Sequence, residues 1–163
     1  HFPSINWNTS YSEYSGEISD WWREESDEFD YGDMRSRALS ILQEENRLDQ
    51  VVKLVGPDAL PDKQRLILAT ARLLKEGFLQ QNAFNENDMY CTPEKQLRMM
   101  DVILHFNDVA EEVISRGVPC VKILGLDIMS RIIRMKTDIS SDDAEKVSRI
   151  KEEIDYAVKG LTS

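Results

Sequence analysis

Residues 55–74 read VGPDALPDKQRLILATARLL and contain both a break and the start of a helix. Gly56 and Pro57 interrupt the helical pattern before them, and Pro61 suits the first turn of a new helix. From Leu66 onward, apolar residues recur at the spacing of an amphipathic helix. The stretch therefore predicts two helices joined by a short turn.

Helical spacing continues on both sides of this turn. Upstream, an aliphatic stripe predicts a helix over about 33–54, made by Leu39, Leu42, Leu48, Val51 and Val52. The helix after the turn is predicted to extend through residues 61–81. Thr92 can then cap a third helix with Pro93 in its first position, and Gly117 and Pro119 end that helix.

The remaining residues are also helical in pattern. Residues 121–136 predict two brief helical turns broken near Gly125, and residues 142–161 predict an amphipathic helix with Val147, Ile150, Ile154, Val158 and Leu161 in line. Neither an alternating strand pattern nor a hairpin dipeptide occurs. The predicted fold class is all-α, a helical bundle with short connections.

Composition limits the classes of partner. The 163 residues suit one domain, and no apolar run approaches the ~20 residues that cross a bilayer. The formal charge of −10 argues against nucleic acid and anionic lipid as partners, because both attract basic surfaces. Cys91 and Cys120 lack metal-type spacing and are expected to be reduced, small apolar side chains.

The first 33 residues differ from the rest. Residues 16–33, GEISDWWREESDEFDYGD, hold eight acidic residues against Arg23 alone, a net charge of −7. Residues 1–33 also hold eight of the thirteen aromatic residues. We expect this irregular, aromatic-rich segment to pack against another surface. The opening HFPSINW lacks methionine and suggests a cut within a longer polypeptide.

Motifs for self-sufficient catalysis are missing from the sequence. The seven glycines form no phosphate-binding GxxxxGK[ST] loop, and HExxH, CxxC and ExxH do not occur. His105 follows Asp101 by one helical turn, so Asp101 could orient it as a base, but a structural role for such a histidine is far more common. We expect no catalytic residue and no metal ligand in this chain.

Phe84 stands out in the stretch GFLQQNAFNENDMY, residues 77–90. Its ring lies among seven polar residues at the point where the helical pattern stops. The ring can fold back over the helix end, or it can present a flat face to a flat ligand. The pattern alone leaves both interpretations open.

Three stretches resemble the catalytic A subunit of the V/A-type rotary ATPases, especially its archaeal branch. They are HFPSINWNTSYSEY at 1–14, LVGPDALPDKQRLILATARLLKEGFLQQNAFNENDMYC at 54–91 and TPEKQLRMMDVILHF at 92–106. The resemblance implies a position at the C-terminal end of that subunit. Residues 1–32 would then be the end of the nucleotide-binding domain and a linker, and residues 33–163 the C-terminal helical bundle.

The resemblance also implies two sites. One is an adenine pocket with Phe2 and Phe84 as its aromatic walls and with Gln81 and Ala83 beside them. Offset stacking on a purine would add about 0.5–1.5 kcal/mol beyond area burial. The other is a rotor contact at the turn, comprising Asp58, Ala59, Leu60, Pro61, Asp62 and Lys63, which resembles the acidic DELSEED segment of the F-type β subunit only loosely.

The implied partners are the B subunits of a hexameric head, the central-stalk subunits and nucleotide. The implied cofactors are ATP or ADP with magnesium in the intact protein, with none for this piece alone. The location would be cytoplasmic, peripheral to the membrane, without insertion into it. Two alternatives are a free-standing acidic helical adaptor and, less favoured, a small helical enzyme that uses Asp101 and His105.

Overall fold

The computed structural model of the chain describes residues 31–76 and 92–162. These ranges contain six α-helices and no strand, which confirms the all-α prediction. The helices are α1 (Tyr31–Val55), α2 (Asp62–Leu74), α3 (Pro93–Ser115), α4 (Cys120–Leu124), α5 (Ile128–Asp138) and α6 (Glu145–Lys159). Short 3-10 helices lie at Pro57–Ala59, Ser141–Asp143 and Gly160–Thr162. Residues 1–30 of the predicted irregular N-terminal segment lie outside the described residues, and its last residues, from Tyr31 onward, belong to α1.

Most predicted helix boundaries agree with the structure. Thr92 caps α3 as expected, because its hydroxyl accepts a hydrogen bond from the Lys95 backbone N–H at 3.2 Å. Pro61 lies one position before α2, where its extended backbone turns the chain into the helix. The prediction of a brief turn after Gly125 was too short, since α5 has 11 residues.

Helix α3 forms the centre of the bundle. It packs against α1, α2, α4, α5 and α6, and its contact with α6 is the most extensive. Four residues of the apolar stripe predicted for α6, Val147, Ile150, Ile154 and Val158, are at 0% exposure, whereas Leu161 lies in the following 3-10 helix and is only partly buried. Burial of such a side chain contributes about 1.5–3 kcal/mol, so this stripe holds α6 in place.

Surface ion pairs near α6 occur at two different spacings. Lys159 lies 3.9 Å from Asp155, four residues before it. Lys146 instead lies 3.5 Å from Asp143, three residues before it. Asp143 is the last residue of the 3-10 helix Ser141–Asp143, and Lys146 lies in the first turn of α6.

Cys120 is a free thiol with no exposed surface. Burial raises the pKa of its thiol, and the nearby Asp62 carboxylate raises it further. It is therefore the small apolar side chain that the sequence suggested; Cys91 lies outside the described residues. Among residues 31–76 and 92–162, no helix is long and apolar enough to cross a membrane.

Candidate functional site

The turn between α1 and α2 has a fixed backbone. Gly56 takes φ 88° and ψ 157°, a conformation that residues with a side chain rarely adopt. Pro57–Ala59 then form a 3-10 helix, and the Leu60 N–H donates to the Pro57 carbonyl at 3.2 Å. The Pro61 carbonyl accepts from the N–H groups of Gln64 and Arg65, both at 3.0 Å. Two prolines and these hydrogen bonds leave the turn little freedom.

Side chains of the turn divide into one anchor and several exposed groups. Leu60 is only 5% exposed, so its side chain is buried rather than presented to solvent. Asp58, Ala59, Pro61, Asp62 and Lys63 are exposed. The Asp58 carboxylate is fully solvated and lies 3.4 Å from the Arg65 guanidinium. The outward surface of residues 58–63 is therefore available to a partner, with Leu60 supporting it from below.

Helix α2 runs directly from this turn toward the segment that contains Phe84. It starts at Asp62 within the turn and continues to Leu74, a length of about 20 Å. At its far end the Lys75 ammonium lies 2.7 Å from the Glu45 carboxylate of α1, and Glu45 is only 8% exposed. The undescribed segment 77–91 begins two residues later, so α2 spans most of the sequence between the turn and the segment that contains Phe84.

The start of α3 is held by two hydrogen bonds. The Thr92 N–H donates to the Ser141 hydroxyl at 3.2 Å. The Lys95 ammonium donates to the Lys136 carbonyl at 2.5 Å, and the Lys95 side chain has no exposed surface. The two contacts bind the first turn of α3 to the last turn of α5 and to the 3-10 helix that follows it. No local sequence signal marks Lys95 as buried, because lysine is mostly exposed in proteins.

Residues predicted for the adenine pocket lie outside the described ranges. Phe2 belongs to residues 1–30, and Gln81, Ala83 and Phe84 belong to residues 77–91. The structure describes the residues on either side of this second range, Glu76 and Thr92. The pocket therefore stays a prediction.

His105 has a structural partner other than the one that the sequence suggested. Its Nε2 atom lies 2.7 Å from Asp155 on α6, whereas the Asp101 carboxylate accepts a hydrogen bond from Lys151 at 2.9 Å. The expectation that Asp101 could orient His105 was wrong, because both side chains face α6 and each meets a different residue of that helix. These contacts cross-link α3 and α6. Within the described ranges no three His, Cys, Asp or Glu side chains are grouped to hold a metal ion.

The chain matches a known protein family over much of its length. Residues 19–124 match the family described as the C-terminal domain of V and A type ATP synthase. The chain belongs to this family. That assignment confirms the resemblance noted in the three sequence stretches, which include the turn, the Phe84 segment and the start of α3.

Individual relatives match most or nearly all of the chain. The A subunit of the A-type ATP synthase of Methanopyrus kandleri is 50% identical over 161 residues, which are 99% of this chain and 27% of that protein. Its counterpart in Pyrococcus abyssi is 51% identical over 136 residues, 83% of this chain and 13% of that protein. V-type ATP synthase alpha chain 2 of Clostridium tetani is 46% identical over 154 residues, 94% of this chain and 26% of that protein. The chain thus spans about a quarter or less of the length of these relatives.

Proposed function

We propose that this domain works within the nucleotide-binding A subunit of an A/V-type rotary ATPase, where it links nucleotide binding to the central stalk. Phe2 and Phe84, with Gln81 and Ala83, would form the adenine pocket. The exposed face of residues 58–63 would contact the stalk. ATP or ADP with magnesium would bind the intact protein, and the B subunits of the head would be neighbours. The assembly would act at the membrane surface in the cytoplasm, coupling ATP synthesis or hydrolysis to ion transport.

Continuity of α2 is the observation that carries this proposal. The helix begins in the proposed stalk contact and leads into the segment of the proposed pocket. Stacking of adenine on Phe84 would exist only when the domain has closed over the nucleotide, so binding would favour closure. A stiff helix held by the Lys75–Glu45 pair and by buried Leu66, Leu73 and Leu74 would carry that displacement to the turn.

The surface beside the turn also favours a contact there. Leu54 is 85% exposed and Val55 62% exposed, and both lie at the end of α1 immediately before Gly56. Adjacent exposed aliphatic side chains next to a rigid turn suit a protein–protein contact better than free solvent. The proposal assigns no metal ligand and no catalytic base to the described residues. Hydrolysis would use groups elsewhere in the intact protein, and the 163-residue chain alone would not turn over ATP.

Site-specific cross-linking in the assembled complex tests the stalk contact. A cysteine at Asp58, which is fully exposed, carries a photoreactive cross-linker, with Tyr156→Cys as the control because Tyr156 on α6 is 88% exposed. We expect Asp58→Cys to yield a product with the central stalk, whereas Tyr156→Cys should yield none. Equal yields from both positions, or products of Asp58→Cys with the head alone, would contradict the stalk contact.

A further inference from the structure

A groove of about 380 Å³ opens beside the turn, between α2, α4 and α5. Its floor is apolar and consists of Leu68, Ala69, Leu73, Leu124, Met129 and Ile133. Its charged lining residues are Arg65, Arg72 and Asp58. The groove is thus apolar in its floor and carries two guanidinium groups against one carboxylate, on a chain whose net charge is −10.

Neither arginine forms a strong ion pair within the groove. Arg65 lies 3.4 Å from Asp58, whose carboxylate is fully solvated. Arg72 lies 3.1 Å from Glu76, four residues along the same exposed helix face. Exposed pairs of this kind contribute about 0–1 kcal/mol, so an incoming carboxylate can replace either partner at small cost. The lining matches a segment with apolar side chains flanked by acids.

The chain contains such a segment before α1. Residues 16–30 hold seven acidic residues against Arg23, and they place Ile18, Trp21 and Trp22 within five positions. We propose that residues 16–30 bind the groove of their own chain. Trp21 and Trp22 would lie on the apolar floor, and the neighbouring carboxylates would meet Arg65 and Arg72. The volume of the groove falls within the range of about 300–1,000 Å³ that is typical of pockets which bury most of a ligand.

The length of chain before α1 is sufficient to reach the groove. The Glu45–Lys75 contact places Glu45 of α1 beside the end of α2. The groove residue Leu73 lies two positions before Lys75 on that helix. From Tyr31 to Glu45 is 14 residues of helix, about 21 Å. The 9 residues from Trp22 to Tyr31 span up to about 30 Å when extended. An intramolecular contact at the Leu73 end of the groove is therefore within reach.

Tryptophan fluorescence tests this inference directly, because all three tryptophans, Trp7, Trp21 and Trp22, precede α1. In a Trp7→Phe background of the 163-residue chain, emission reports on Trp21 and Trp22 alone. We expect short-wavelength emission and weak quenching by acrylamide. Arg72→Glu, which reverses a rim charge, and Ala69→Phe, which fills the floor, should both shift emission to longer wavelength and increase quenching.

The matched control is Arg116→Glu. Like Arg72, Arg116 is an exposed arginine paired with a glutamate four residues away, but it lies outside the groove. It should leave emission and quenching unchanged, with circular dichroism verifying the fold of every variant. Solvent-exposed tryptophans in the parent chain would overturn the proposal. Tryptophans that stay equally protected in both groove variants would also overturn it. So would protection that is lost on dilution while a dimer seen by sedimentation dissociates, because the groove would then bind a second copy of the chain. The proposed ATPase role does not depend on this outcome.

Discussion

The Lys75 ammonium lies 2.7 Å from the Glu45 carboxylate, and this pair joins the end of α2 to the middle of α1. Glu45 is 8% exposed, so its negative charge is largely removed from water and depends on Lys75. The pair also lies two residues before the undescribed segment with Phe84. It therefore fixes the end of the helix that, in our proposal, links nucleotide to stalk.

Replacement of Lys75 by methionine should destabilise the domain. Methionine keeps most of the side-chain volume but leaves the Glu45 carboxylate without its cation, at a cost of about 1–3 kcal/mol in the free energy of unfolding. The control is Arg47→Met, which breaks an exposed pair with Glu44 on the same α1 helix and should cost less than about 1 kcal/mol. Urea denaturation measures both. Equal losses of unfolding free energy in the two variants would show that Lys75 does not stabilise the buried Glu45 carboxylate.

Gly56→Ala should destabilise the turn through its backbone alone. No atom lies within 4 Å of the position that a Cβ would take, but φ 88° and ψ 157° belong to a region that is essentially restricted to glycine, which costs about 1–3 kcal/mol for other residues. Gly160→Ala is the matched control, because its Cβ would also meet open space while its φ of −58° is helical. That substitution should be neutral or stabilising by up to about 1 kcal/mol. Thermal unfolding of the two variants isolates the effect of backbone strain, because neither added Cβ meets another atom. A Gly56→Ala protein as stable as the parent would contradict the turn geometry.

Cys120 should make stability fall at alkaline pH. Its burial, together with Asp62, raises the pKa of the thiol above the ordinary value of about 8.5. Above that pH the unfolded chain releases the proton first, so stability that is fully present below the ordinary pKa is lost as pH rises toward the folded-state pKa. The free energy of unfolding, measured under reducing conditions, should fall more between about pH 7 and pH 9.5 in the parent than in Cys120→Ala. An equal loss of unfolding free energy in the two proteins would refute the raised pKa of the Cys120 thiol.

Several parts of this architecture could be predicted from sequence because they depend on local chemistry. Thr92 followed by Pro93 marks a helix start in any context, and Gly56 with Pro57 marks a break. The α6 stripe is regular enough to identify its buried face. Leu60 shows the limit of such reasoning: it lies between exposed residues of the turn, yet its side chain is buried.

Contacts between distant residues could not be predicted in the same way. The Lys95 contact with the Lys136 carbonyl joins positions 41 residues apart, and the partner of His105 lies 50 residues away. Asp101 seemed the natural partner of His105 because it lies one turn earlier on the same helix. The packing of α3 on α6 instead places Asp155 beside His105. The groove beside α2 is likewise formed with residues of α4 and α5, which lie far from α2 along the chain.

Nucleotide binding by the assembled complex tests the central claim most directly. Phe84→Leu removes the flat ring and keeps an apolar side chain, and Phe84→Tyr keeps the ring. We expect Phe84→Leu to weaken ATP binding by about 2–12-fold, the equivalent of 0.5–1.5 kcal/mol of stacking, and Phe84→Tyr to bind nearly as the parent does. Binding of inorganic triphosphate, which has no purine, should be unchanged in both. Unaltered ATP affinity in Phe84→Leu, or an equal loss for ATP and triphosphate, would contradict the role of this domain in holding adenine.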